Sequence, residues 1–329
     1  MANIKKEVLI IGGGPIGIAC ALSCKKNGLD YRVVEKGALT NSLFNYPLNM
    51  QFFSTAEKLE LDDIPFISNT AKPGRDEALE YYRRIVTANQ LEVSLFEKIQ
   101  SVRKQGELFE VISDKNNYTA SNVIVATGFY DIPKLLNVPG ETLPKVTHYD
   151  KEAHPYVLQK NILVGASNSA VDAALEIWRK GGEVTMVVRG NAIGERVKYW
   201  VKPDIENRIA EGSIRALFNA EISEIREKEV VIKTPTSTEI VENDYVIALT
   251  GYVPNFTFIE DMGVLLSEEK KRPQFNEHTM ESNVKGLYLA GVICGGIETH
   301  KWFIENSRVH AHRIVDAIMQ KKHINSLQI

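Results

Sequence analysis

Residues 7–17, EVLIIGGGPIG, set an unbroken apolar run against glycines at fixed spacing, Gly12-x-Gly14-x-x-Gly17. EVLII reads as a strand buried on both faces. Ile18 to Lys26 continues as a helix, and YRVV at 31–34 reads as a second strand ending at Glu35. In that order the three glycines serve, in turn, the tight turn, the close approach of backbone to a pyrophosphate, and close helix–strand packing. The helix N-terminus adds free N–H groups and a partial positive charge facing the phosphates. Glu35 stands where a carboxylate accepts hydrogen bonds from a ribose and repels a 2′-phosphate. Strand, glycines, helix, strand and acid in register predict a site for FAD or NAD. Its candidate residues are Gly12, Gly14, Pro15, Ile16, Gly17, Glu35 and Lys36.

A competing reading of the same stretch is an export signal, with Lys5 and Lys6 before an apolar run and Ala19-Cys20 as a lipoprotein-like cleavage site. Glu7 interrupts the basic segment, and Gly12, Gly13, Gly14 and Pro15 break the helix such a signal needs. The cofactor loop is therefore the expectation. Elsewhere no uncharged run approaches the roughly 20 residues that span a bilayer.

The grammar recurs further along. NILV at 161–164 is a strand, followed by Gly165-Ala166-Ser167-Asn168-Ser169-Ala170. A helix then runs from Ser169 to a glycine stop at Gly181-Gly182. EVTMVV at 183–188 is the next strand, and it ends at Arg189. Ser167 replaces the middle glycine and offers a hydroxyl to a phosphate oxygen. An arginine where the first loop has an acid pairs with a 2′-phosphate, so the second site favours NADPH. Arg196 and Lys198 follow in a loop and could assist, although each could equally be a solvated surface charge.

NVIVATG at 122–128 is a further strand with a Thr127-Gly128 turn, and DYVIALTGYVPN at 244–255 repeats that pattern. Residues 285–296 read as a last buried strand ending in glycines, and 303–319 as a helix. The simplest arrangement is an α/β protein with two Rossmann-like dinucleotide-binding domains, one inserted in the other. The first dinucleotide-binding domain begins at 1–126, the second, which favours NADPH, is 127–250, and 251–329 completes the first. With 44% hydrophobic and 25% charged residues and a net charge of −3, the 329-residue chain shows no bias toward nucleic acid or membrane. Three cysteines suggest no disulfide framework, and hence a reducing cytoplasm. No metal-ligand pattern stands out.

GGGPxG with Glu35, VATG at 125–128, the second GxSxxA loop with Arg189, TGYxPN at 250–255 and LAG at 289–291 resemble the flavoprotein reductases with two dinucleotide domains. The layout is similar to thioredoxin reductase. NYPLNMQFFSTAEKLELDDIPF (45–66), KPGRDEALEYYR (72–83), HYDKEAHPY (148–156), GASNSAVDAAL (165–175) and WFIENSRVHA (302–311) resemble one branch, the YpdA or bacillithiol-disulfide reductase family. That resemblance covers nearly the whole chain. It implies FAD in the first domain, NADPH in the inserted one, a homodimer, and hydride passing from NADPH to flavin and on to an acceptor. There is no Cys-x-x-Cys, so the dithiol route of thioredoxin reductase is absent. Val292 follows Gly291 where many flavoproteins carry Asp, a feature shared with the YpdA branch. Ile16 stands where the bacillithiol-linked members typically carry a cysteine after Pro15.

The resemblance also orders the remaining candidates. Cys20 and Cys24 share a helix face and read as packing residues. Cys294, beyond Gly291 and Val292, lies where the superfamily brings the last helix near the flavin; a helix N-terminus there would lower its pKa. It is the candidate catalytic thiol, against the alternative of a small residue in a turn. Tyr46, Phe52, Phe53, Phe129, Tyr130 and Trp302 are candidates to stack on the flavin, although aromatics more often fill interfaces. His148 and His154 could move protons, although histidines more often serve structure. The first acceptor is a low-molecular-weight disulfide such as bacillithiol disulfide. A ferredoxin or flavodoxin is the second, a monooxygenase reaction the third, and an FAD- and NADPH-binding redox sensor the non-enzymatic alternative.

Overall fold

The computed structural model describes residues 3–327, which form two compact units. One takes 3–46, 50–132 and 252–327; the other takes 47–49 and 133–251. The second unit is thus an insertion in the first. Its boundaries lie at 132–133 and 251–252, whereas the sequence reading places them at 126–127 and 250–251. The tripeptide Pro47–Asn49 was not expected to belong to the second unit. There the Leu48 N–H donates to the Lys151 carbonyl at 2.9 Å, and Asn49 Nδ2 donates to Glu176 at 2.7 Å.

In the first unit, four strands run parallel in the order Val93–Ser94, Tyr31–Val34, Asn3–Ile11 and Asn117–Val125. The first half of Asn117–Val125 also pairs antiparallel with Leu108–Ser113, which pairs in turn with Ile99–Gln105. Its second half takes the C-terminal strand Leu287–Leu289 in parallel. Register decides where the loops go. Ile11 lies opposite both Val34 and Val125, and Val125 lies opposite Leu289. Four strands therefore end in line, and Gly12, Glu35, Ala126 and Ala290 all emerge at one sheet edge. The helices Pro15–Lys26 and His310–Leu327 pack together against this sheet.

Two expected elements of this unit are shorter or broken. The strand expected over 285–296 is only Leu287–Leu289, because Gly286 and Gly291 hold φ values of +84° and +81° that a strand cannot continue through. A 3-10 turn, Gly291–Gly295, follows. The helix expected over 303–319 is divided into Ile304–Ser307 and His310–Leu327.

The second unit has a wholly parallel sheet in the order Arg215–Phe218, Glu183–Val188, Lys160–Val164, Tyr245–Ala248 and Val146–Thr147. A three-stranded antiparallel sheet, Glu221–Ile225, Glu229–Lys233 and Thr238–Glu242, accompanies it. The helix Asn168–Arg179 starts directly after the glycine-led loop, with Ser167 as its N-cap residue. It ends before Gly181, at φ +89°, the left-handed stop a glycine supplies.

Candidate functional site

Each glycine of the first loop has an identifiable neighbour. Gly12 sits at φ +110°, and a Cβ there would collide with the Ala126 carbonyl oxygen. A Cβ on Gly17 would strike the Gly12 carbonyl, so only glycine lets the helix start this close to its strand. A Cβ on Gly14 would meet nothing within 4 Å, which leaves the mouth of the loop open as a phosphate cradle requires. Gly13 lies outside the spacing rule, yet it too has a function here. A Cβ would come within 2.9 Å of Glu35 Cβ, so the side chain of Glu35 lies over it.

Glu35 is buried at 6% exposure. Its Oε2 accepts the Gly13 N–H at 2.6 Å and its Oε1 accepts the Gly37 N–H at 2.9 Å. Burial pushes its pKa up, opposed by those two N–H donors. Each oxygen retains a lone pair for a ribose hydroxyl. An open glycine cradle at a helix start, with an acid anchored beside it, fits the adenosine diphosphate half of FAD. Gly14, Pro15 and Ile16 would line the phosphates, and Glu35 would take the ribose. Lys36, the neighbouring candidate, ion-pairs with Asp131 at 2.5 Å.

The second loop is built on the same plan with different chemistry. Gly165 holds φ +131°, and a Cβ there would press the Leu249 carbonyl at 2.6 Å and Ala170 Cβ at 3.1 Å. Ser167 and Ser169 are exposed, and Ser167 makes no cap bond to the helix, which leaves its hydroxyl for a ligand. Asn168 spends its side chain on the neighbouring loop, donating to the Arg196 carbonyl at 3.1 Å and accepting the Lys198 N–H at 2.8 Å. Arg189 is exposed at the end of its strand, as recognition of a 2′-phosphate requires. Lys198 is not available for that role: it is buried and ion-paired with Asp172 at 2.7 Å. Arg196 keeps an exposed side chain.

Residues 9–291 match the family model described as pyridine nucleotide-disulphide oxidoreductase. The chain belongs to that family. It is 43% identical over 321 residues to the bacilliredoxin reductase Bdr of Bacillus subtilis (strain 168), an alignment that takes in 97% of this chain and 99% of the relative. The solved structure of the bacillithiol disulfide reductase Bdr (YpdA) from Staphylococcus aureus superposes with a TM-score of 0.94 at 38% identity, covering 98% of this chain and all of that one. Bdr (YpdA) from Bacillus cereus gives the same TM-score at 41% identity, over 96% and 99% of the two chains. The family's cofactors are FAD and NADPH.

The family's name points to disulfide chemistry, and the three thiols of this member bear on it directly. Cys20 and Cys24 are fully buried on the first helix, with pKa values raised by burial, that of Cys24 to about 12. Cys294, expected to be activated at the end of the last strand, is 3% exposed, and burial pushes its pKa far up. Desolvation outweighs the helix-terminus effect that would have favoured a thiolate. Its surroundings are those of a packing residue. Ile16 lies against the same region: a Cβ on Gly291 would stand 3.3 Å from Ile16 Cγ1.

Other candidates fall into two groups. Tyr46 and Tyr130 meet edge to face at 4.6 Å, and Tyr130 leans on Tyr252 at 4.4 Å. Phe129 meets Tyr252 edge to face at 6.3 Å. Burial pushes the Tyr46 hydroxyl to about 12. This aromatic group flanks the Thr127-Gly128 turn, and Tyr252, from the TGYxPN stretch, joins it without having been a stacking candidate. Phe52 and Trp302 pack against the main core, whereas Phe53 is exposed. His148 and His154 both belong to the second unit: His148 pairs with Glu141 at 3.3 Å, and His154 is exposed on a short turn. Among the described residues no cluster of His, Cys, Asp or Glu could hold a metal. No described helix is long and apolar enough to cross a membrane.

Proposed function

We propose that the chain is an NADPH-dependent flavoprotein reductase whose acceptor is a low-molecular-weight disulfide such as bacillithiol disulfide. Bound FAD supplies the two-electron chemistry, and the sum is NADPH, a proton and a disulfide giving NADP⁺ and two thiols. The protein's contribution is binding. Gly12–Gly17 and Glu35 seat the adenosine diphosphate half of the flavin, Thr127, Gly128, Gly291, Val292 and the nearby Tyr46, Phe52 and Trp302 surround the rest, and Gly165–Ala170 with Arg189 selects NADPH. The observation that carries the reading is the pairing of an acid-terminated glycine loop with an arginine-terminated one, in a chain 43% identical end to end to Bdr. The reading includes a homodimer in the cytoplasm, which light scattering of the purified protein checks for subunit number.

The sealed thiols favour a second acceptor class. With Ile16 in place of a cysteine and Cys294 buried, electrons have no thiol relay, which suits a ferredoxin or flavodoxin equally. The deciding experiment is anaerobic bleaching of the yellow protein by NADPH or NADH, followed by reoxidation with bacillithiol disulfide, oxidised bacilliredoxin, ferredoxin or flavodoxin. NADPH is expected to bleach it far faster than NADH, and the small disulfide to restore the colour. Reoxidation by ferredoxin or flavodoxin alone would replace the disulfide with a protein acceptor. Bleaching by NADPH with no acceptor active would leave a redox sensor.

A further inference from the structure

His310 falls within the WFIENSRVHA stretch but has no assigned role, and it is fully inaccessible to solvent in the middle of the first unit. Its Nδ1 accepts the backbone N–H of Gly291 at 3.2 Å. That bond fixes the tautomer, because an accepting Nδ1 leaves the proton on Nε2. Nε2 is buried without a protein partner. The ring meets Trp302 edge to face, with centroids 4.6 Å apart and planes at 71°. Trp302 in turn lies over the far end of the same turn: a Cβ on Gly295 would stand 3.4 Å from its Cδ1. One imidazole therefore holds the start of the Gly291–Gly295 turn by a hydrogen bond and supports its end through an indole.

We propose that His310 is a positioning residue of the flavin site, its neutral imidazole fixing the Gly291–Gly295 turn against Ile16 through the Gly291 N–H and through Trp302. The Gly291 N–H needs this acceptor. Gly291 has left its strand at φ +81°, so the neighbouring strand's carbonyls no longer pair with it. A buried N–H without an acceptor costs about as much as a lost hydrogen bond, so the turn depends on this partner. Burial also lowers the pKa of His310 to about 4, with Arg313 one turn along adding to the effect, so the accepting form persists across the working range. The imidazole is fully buried and acts by holding Gly291 and Trp302 in place.

This rests on flavin binding in the first unit, and two substitutions separate its two contacts. His310→Phe keeps a ring against Trp302 and removes the acceptor. His310→Asn restores an acceptor near the Nδ1 position and removes the ring. The readouts are the dissociation constant of FAD for the apoprotein, the visible spectrum of bound flavin, and the melting curve of the apoprotein. His310→Phe is expected to bind FAD about 10-fold more weakly with a shifted visible band, and His310→Asn to recover most of both. Wild-type affinity and spectrum in the Phe variant would overturn the proposal, as would impairment of the Asn variant equal to or greater than that of the Phe variant, which packing alone predicts. Wild-type protein that binds no FAD would sink the flavin reading itself, a result visible before any variant is made.

Discussion

The two glycine loops share a backbone plan and differ in how they treat charge. At the first, the charged partner is an acid, buried and held by two N–H groups. At the second, it is a base left exposed at its strand end. A buried, pre-oriented carboxylate suits a resident cofactor whose ribose hydroxyls complete its hydrogen bonds. An exposed guanidinium suits a co-substrate that must arrive and leave on every turnover, because its partner is a solvated phosphate. On the proposed assignment, the same plan would give one loop suited to retention and another suited to exchange.

The most severe test of that contrast is Gly17→Ala. A methyl group there is driven onto the Gly12 carbonyl, and overpacking at such a site is expected to weaken FAD binding by about 100-fold. The yellow colour of the purified protein is the measurement. If colour is retained, the first loop is not the tight seat described. Arg189→Ala comes next. Loss of one charge-assisted bond to phosphate should raise the KM for NADPH by roughly 10- to 100-fold and leave NADH almost unchanged. Steady-state rates with the two nucleotides decide it; equal losses would remove the 2′-phosphate assignment.

Buried ionisable groups extend the contrast to pH. Asp150, in the second unit, is 5% exposed, and its Oδ1 has no partner. Burial, with Glu176 and Asp172 nearby, pushes its pKa to about 6. Its folded pKa lies above the unfolded value, so stability is highest when it is protonated and is lost as pH rises toward 6. Asp150→Asn should therefore stabilise the second unit at pH 8, by a few kcal/mol at most, and do little at pH 4. Thermal melts across that range give the answer. His310, in the first unit, has the opposite sign. Its folded pKa is depressed from 6.5 to about 4, so its contribution is complete above 6.5 and lost as pH falls through that window. Wild type should release flavin as pH drops from 6.5 toward 4, and His310→Asn should show a flatter profile. The smallest effect belongs to Ser167→Ala. Removing one neutral hydroxyl from an exposed phosphate contact should change the KM for NADPH by only about 2- to 5-fold.

Much of the fold was legible because strand, glycine spacing and terminal charge are local signals that sit within a few dozen residues. Both glycine loops and the charged residue that ends each following strand lie within such stretches. What local pattern could not show were contacts made by tertiary register. Gly13 looks redundant in the sequence, but Glu35, at the end of another strand, lies over it. His310 reads as one more helix residue, and only the in-line ends of four strands bring the Gly291 N–H to its Nδ1. Cys294 shows the same dependence: a glycine-rich turn beside a helix start suggests an activated thiol, whereas exposure depends on what packs above it, and here the side chain is buried. Lys198 has the look of a phosphate ligand until the fold supplies Asp172.

The sealing of the three cysteines also bears on the protein's durability. Peroxide and alkylating electrophiles attack thiolates, and a thiol with a pKa near 12 is ionised in only about one molecule in 10⁵ at neutral pH. With Cys20, Cys24 and Cys294 all enclosed, the described chain offers no accessible thiol on which such damage can begin.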